Sequence, residues 1–274
     1  MLKDIPRETA LTILCRAEEG IFVDAPLALA RQRLDARDSA FLLELVYGTL
    51  RNRALLDWTL NRFSAKPLDT TDAWTRNILR LAAYQMLFLD RVPVSAAVNT
   101  AVELAKAHGN KHGYVNGLLR GLDRKRSTIG RPDHADPAMQ LAIRYSHPLW
   151  LVRRWVARYG AEATETLLLA NNQPAPLTIR ANTLKASRQS LRVALEADGV
   201  TVEETDTAPA GLTILTSPHW LRTLQAYRDG WFVVQDQAQK LLASGNRRLL
   251  TEAKKLGLDL RALAKGQLDR PAAR

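Results

Sequence analysis

A chain of 274 residues with 46% hydrophobic content is long enough to bury one large or two ordinary cores, which excludes a disordered or fibrous polymer. No apolar run reaches the ~18 residues a membrane span needs, and Asp4 and Glu8 interrupt the stretch a secretory signal would keep apolar. The single cysteine, Cys15, excludes an internal disulfide framework and suits a reducing compartment, so a cytoplasmic location with no membrane partner is expected.

Taken in chain order, the first 135 residues read as helix after helix. Leu11, Leu14 and Cys15 share one face of an opening helix at i, i+3, i+4. Asp38 is placed to cap a long helix beginning SAFLLELVYGTL, with Phe41, Leu42, Leu45 and Val46 along its apolar stripe. Asp69, Thr70, Thr71 and Asp72 supply another start signal. In the helix that follows, Ile78, Leu79, Ala82, Ala83, Met86 and Leu87 wrap so much of the circumference that it is expected to be central. Pro93 separates it from VSAAVNTAVELAKAHG, which ends near Gly109, and YVNGLLRGLDRK closes the series. Short connections between amphipathic helices make a compact bundle.

RPDHADP (131–137) has linker composition. Residues 143–236 change character. PLWLVRRWVARYG and AEATETLLLANN read as helices, PLTIRAN as a strand, SRQSLRVALEADG as a helix, and VTVEE, LTILT and GWFVVQ as strands of a small α+β domain. Trp150, Trp155 and Trp231 read as core residues rather than stacking platforms. Residues 237–274 form a basic tail with helical composition, interrupted by Gly245, Gly257 and Gly266. The expected class is mainly α: a helical bundle, a small α+β domain and a basic helical tail.

The net charge of +11 is concentrated unevenly. From Lys106 to Arg131 seven cations (Lys106, Lys111, Arg120, Arg124, Lys125, Arg126, Arg131) face one carboxylate, Asp123. Such clustering is the footprint of phosphate binding, the alternative being a solvated face that keeps the protein in solution. The candidate RNA contacts are Lys111, Arg120, Arg124, Lys125 and Arg126, with Tyr114 nearby for stacking, and Arg144, Arg180 and Asn182 further on. For Arg180, pairing with a neighbouring strand residue such as Glu203 stands as the equal alternative.

Motifs of catalysis are sparse. Cys15 lies on an apolar helix face, where a free cysteine behaves as a small hydrophobe. No glycine-rich turn joins a strand to a helix, so no Rossmann-type methyl-donor or dinucleotide cradle is expected. Of the five histidines (His108, His112, His134, His147, His219), His108 and His112 stand at i, i+4. Gly109 breaks that pair and no third ligand is near, so no metal is expected. No nucleophile elbow occurs.

Three strings taken in order, YSHPLW (Tyr145–Trp150), NNQPAPLTIRAN (Asn171–Asn182) and DGWFVVQDQA (Asp229–Ala238), resemble the bacterial small-subunit ribosomal RNA methyltransferase B family, which makes 5-methylcytosine. LVYGTLRN (Leu45–Asn52), RLAAYQMLFLD (Arg80–Asp90), PVSAAVNTAVELAK (Pro93–Lys106) and KHGYVNGLLR (Lys111–Arg120) resemble the NusB-like helical domain, which binds RNA and forms the front of that family. The resemblance implies small-subunit ribosomal RNA as partner and S-adenosylmethionine as cofactor of the parent enzyme. It also implies a catalytic domain, with two cysteines and an Asp-x-Cys-Ala-Ala-Pro-Gly-Gly-Lys-Thr loop, beginning soon after Gln235 and Asp236. Only 38 residues follow Asp236 and none matches those motifs, so no catalytic and no cofactor-binding residue carries over. The expectation is an RNA-recognition portion that is not catalytic alone. Two alternatives stay open. One is a stand-alone NusB-like antitermination regulator; the other is a non-catalytic subunit whose Gly230–Ala238 segment docks a separate methyltransferase domain.

Overall fold

The computed structural model describes residues 4–109, 111–173, 176–205, 208–216 and 221–235. The expected basic tail, and the Asp236 end of the DGWFVVQDQA string, lie outside the described residues. The chain divides into two compact units between Gln173 and Pro174.

Among the described residues the first unit holds ten α-helices: α1 (Ile5–Glu18), α2 (Asp24–Arg31), α3 (Ala36–Arg51), α4 (Arg53–Asn61), α5 (Ala73–Phe88), α6 (Val94–Ala107), α7 (His112–Lys125), α8 (Pro137–Arg144), α9 (Leu149–Tyr159) and α10 (Ala161–Asn172). Side-chain carboxylates start several of them. Asp4 accepts the Arg7 N–H at 3.3 Å, Asp72 that of Thr75 at 2.8 Å, and Asp136 that of Ala138 at 2.9 Å beside Pro137 in the first turn. The α3 cap is Asp35, which accepts the Asp38 N–H at 2.7 Å. Asp38, expected to be the cap, therefore lies inside the helix, because the preceding Asp35 already satisfies its donor.

As its apolar wrap demands, α5 is central. It packs against α1, α3, α4, α6 and α7, and Ile78, Leu79, Leu81, Ala82 and Ala83 are buried. Two features set its surroundings. Gly48 of α3 faces the Tyr84 ring, where a Cβ would overlap the ring and its hydroxyl. The Tyr84 hydroxyl donates to Glu44, and burial together with that carboxylate pushes its pKa well up. On another face the Arg80 guanidinium, 5% exposed, bonds Asp57 at 2.6 and 2.7 Å and also Glu18, which Arg76 holds at 2.5 Å. Burying a guanidinium is tolerable only with such partners.

Helices α8–α10 build a small core of their own from Ala138, Leu141, Ala142, Tyr145, Val152 and Leu168. They belong to the first unit because α8 packs on α4, so the break between units falls later in the chain than the linker-like stretch before residue 143. Along α9 the inward positions are Val152, buried, and Leu149, Trp155 and Val156, half-buried against the same core. This phase corrects the expectation for Trp150: it stands about 100° off the stripe and is 66% exposed. Trp155 and Trp231 do pack half-buried against their cores.

The second unit is a four-stranded antiparallel sheet in the order β2-β3-β1-β4, from β1 (Leu177–Ala181), β2 (Thr201–Glu204), β3 (Gly211–Thr216) and β4 (Phe232–Val234). Ile179 stands opposite Leu212 on one side and Val234 on the other. Helix α11 (Arg188–Ala197), capped by Ser187, seats Leu191 and Leu195 on Ile179, Val202, Leu212 and Phe232, with the single turn α12 (Gln225–Arg228) beside it. The architecture is thus mainly helical with one small sheet.

Candidate nucleic-acid interface

Helix α7 presents the basic cluster. Val115, Leu118, Leu119 and Leu122 bury one face at i, i+3, i+4, i+7, which turns Asn116, Arg120 and Arg124 outward on successive turns. Arg120, Arg124 and Lys125 are exposed, and their side chains form no hydrogen bond or ion pair among the described residues. Beside them Gly113 and Gly117 have open space where a side chain would stand, so a ligand reaches the helix backbone closely there. Three unneutralised cations on one helix end, with small residues flanking them, suit a phosphate backbone better than a compact anion.

Of the remaining candidates, Lys111, Arg126, Arg144, Asn182 and Tyr114 have structural work to do. Lys111 holds Asp72 at 2.7 Å. Burial, the largest influence on Asp72, pushes its carboxyl up, but Lys111 and the Thr75 donors outweigh it and bring the pKa down to about 2. Arg126 donates to the Met86 carbonyl at 2.9 Å, satisfying an orphan acceptor in the last turn of α5. Arg144 holds Glu165 at 2.7 Å and lies over the Tyr145 ring, whose hydroxyl donates to the same carboxylate at 2.6 Å. Asn182 uses both ends of its side chain locally, donating to the Gly230 carbonyl at 3.0 Å and accepting the Leu184 N–H at 3.3 Å. Tyr114, expected to stack, is half-buried with its hydroxyl 2.8 Å from that of Ser64.

Arg180 is exposed on β1, opposite Gly211 and Val233. It makes no pair with Glu203, because β2 is bonded to β3 and not to β1. Among the described residues it is the fourth of the candidate cations without a partner, and it lies in the second unit.

One feature has no signal in the sequence. A groove of about 630 Å³ is lined by Arg7, Arg37 and Arg91 together with Asp4, Asp38 and Phe41. Arg7 is engaged by Gln85 at 2.6 Å and by Asp4, whereas Arg37 and Arg91 are exposed and unpaired among the described residues. Each of these arginines stands isolated in sequence on a different element, so no local charge run announces them.

Nothing among the described residues fits a methyl donor or a metal. Every strand pairing is antiparallel, so the sheet offers no strand–glycine turn–helix cradle, and no group of three His, Cys, Asp or Glu side chains converges. The Cys15 thiol is buried, and burial pushes its pKa up to about 11, away from the thiolate a nucleophile requires.

Comparison with known proteins assigns the class. Residues 4–124 match the NusB family and residues 147–222 match the "Methyltr_RsmF/B-like, ferredoxin-like domain". The chain therefore joins a NusB-family domain to an RsmF/B-type ferredoxin-like domain. Its homologues are ribosomal RNA small subunit methyltransferase B proteins. The "Probable ribosomal RNA small subunit methyltransferase B" of Bacillus subtilis (strain 168) is 34% identical over 249 residues, 89% of this chain and 55% of the relative. That of Synechocystis sp. (strain ATCC 27184 / PCC 6803 / Kazusa) is 33% identical over 246 residues, 89% of this chain and 53% of the relative. The crystal structure of PH0851 shares the fold, with TM-score 0.59 and 23% identity over 86% of this chain and 53% of that one. The chain spans about half the length of the curated relatives it matches. No described helix is long and apolar enough to cross a membrane.

Proposed function

We propose that this chain supplies RNA recognition to small-subunit ribosomal RNA cytosine-5 methylation and does not transfer a methyl group by itself. The observation that carries the reading is the outer face of α7: Arg120, Arg124 and Lys125 are exposed with no side-chain partner among the described residues, Gly113 and Gly117 lie open on the same helix, and the match to the NusB family runs along that helix to residue 124. Each would neutralise one phosphate and release its counterions. Arg180 adds a contact from the second unit. Lys111, Arg126, Arg144 and Asn182 belong to the same reading as supports that hold the binding elements in shape. The covalent step of cytosine-5 methylation needs an activated thiolate, and Cys15, buried with its pKa raised to about 11, is unsuited to it. S-adenosylmethionine and the cysteine nucleophile would then come from a methyltransferase domain beyond the residues described. The test is binding of the purified chain to a small-subunit ribosomal RNA fragment and, in parallel, to labelled S-adenosylmethionine. RNA binding that weakens with salt, without cofactor binding, supports the reading; cofactor binding or methyl transfer by the chain overturns it.

A further inference from the structure

The outward face of α9 combines an exposed indole with a row of arginines. Trp150, 66% exposed, is followed on the same side by Arg153 and Arg154 one turn on, and by Ala157 and Arg158 two turns on, all of them exposed. Helix α9 carries no carboxylate. Arg153 is paired with Asp136 at 2.9 Å, Arg154 has no partner among the described residues, and Arg158 lies over the ring of Tyr159, itself 45% exposed. A single exposed aromatic is ordinary on a protein surface, so the weight falls on the arginines around this indole. The α9 core stripe has no place for it, since Leu149, Val152, Trp155 and Val156 already fill the contact with α8 and α10.

We infer that this face is a single-stranded RNA site, in which Trp150 stacks an unpaired base while Arg154 and Arg158, one and two turns further along the helix, hold the phosphates of the strand leading away from it. The inference rests on the RNA-binding reading above and adds a second contact surface to it. Aromatic rings beside cations are the recurrent solution for unpaired nucleotides, because every base offers a π-face and every linkage a charge. Protein interfaces also enrich Trp and Arg, but a helix face with three arginines and no carboxylate suits a polyanion. Here arginine occupies three of the five outward positions.

The test uses a fluorescein-labelled oligocytidylate of about 12 nucleotides and an RNA duplex of equal length. Trp150→Ala is expected to weaken oligocytidylate binding about fivefold to a hundredfold and duplex binding less than twofold. Trp150→Phe should restore most of the loss. Arg154→Ala with Arg158→Ala should flatten the salt dependence by about 0.7 for each phosphate no longer held. Because Trp150 is exposed, its variants should keep the wild-type circular dichroism and melting temperature. Failure of the wild-type chain to bind either RNA removes the RNA-binding reading and this site with it. Oligocytidylate binding that depends on Arg120 and Arg124 but not on Trp150 overturns this site alone. Equal weakening of single strand and duplex by Trp150→Ala rules out stacking, as does loss of binding to a methyltransferase-domain protein while RNA binding is unchanged.

Discussion

Ser146 Oγ accepts the backbone N–H of Leu55 at 3.1 Å, across 91 residues of chain. Leu55 is the third residue of α4, whose own N-cap, Asn52, makes no side-chain cap and instead donates to the Gly48 carbonyl at 2.9 Å. Ser146 is also the one non-glycine residue at positive φ among the described residues, at 54°. It ends α8 in a Schellman turn, with Ser146 N–H on the Ile143 carbonyl and His147 N–H on that of Ala142. Glycine is the usual occupant of that position, so the serine is retained for its hydroxyl.

Two substitutions separate strain from capping at this position. Ser146→Ala keeps the left-handed backbone and loses the cap, at an expected cost of about 2 kcal/mol. Ser146→Gly loses the cap but relieves the backbone, and should cost about 1 kcal/mol less than alanine. Urea denaturation of the two variants measures the difference. Equal costs would remove the strain argument.

Arg80 is expected to be among the most sensitive positions of the bundle. Replacing it with methionine leaves Asp57 without its guanidinium and Glu18, largely buried, with Arg76 alone, and loss of one partner of a buried pair costs about 3–5 kcal/mol. The Glu18→Gln, Asp57→Asn, Arg80→Met triple variant should recover part of that loss. Chemical denaturation of the single and triple variants checks both statements.

Acid should destabilise the first unit through Asp72 and Glu18. Burial raises both carboxyls, but Lys111 and Thr75 at Asp72, and Arg76 and Arg80 at Glu18, leave each below its ordinary value. Their stabilisation is complete above the unfolded-state values and is lost as pH falls towards the folded ones. For Asp72 that window runs from 3.8 down to about 2. A melting temperature measured against pH should fall through this window, and less steeply in Asp72→Asn. An unchanged slope in that variant would contradict the assignment.

Gly48→Ala should overpack the Tyr84 ring and cost about 1–3 kcal/mol, although alanine is the better helix former. Pairing it with Tyr84→Leu should cost less than the sum of the two single changes, as coupled neighbours do. A double-mutant cycle by denaturation reads the coupling.

Periodicity made much of this fold legible. The wrapped stripe of α5, the Asp72 start signal and the alternation in PLTIRAN are local patterns, and the elements formed where those patterns lie. What stayed hidden depends on partners far along the chain. Lys111 is taken by a residue 39 positions away, Arg144 by one 21 positions away, and Asn182 by a carbonyl 48 positions away. A cation looks the same in sequence whether it is free or paired. Trp150 differs from expectation by one position of helical phase, and α8 starts at the last residue of the linker-like stretch because Asp136 and Pro137 carry a start signal. Of the candidate contacts, Arg120, Arg124, Lys125 and Arg180 are those the tertiary structure leaves available.

The most direct test of the central claim is the salt dependence of binding to a small-subunit ribosomal RNA fragment. It would compare the wild-type chain with an Arg120→Ala, Arg124→Ala, Lys125→Ala variant. If these three side chains contact phosphates, the slope of log K against log salt should drop by about 2 to 3, with the melting temperature unchanged because none of the three has a partner to lose. A slope identical to the wild type, in a folded variant that still binds, would contradict the account and move the RNA off α7.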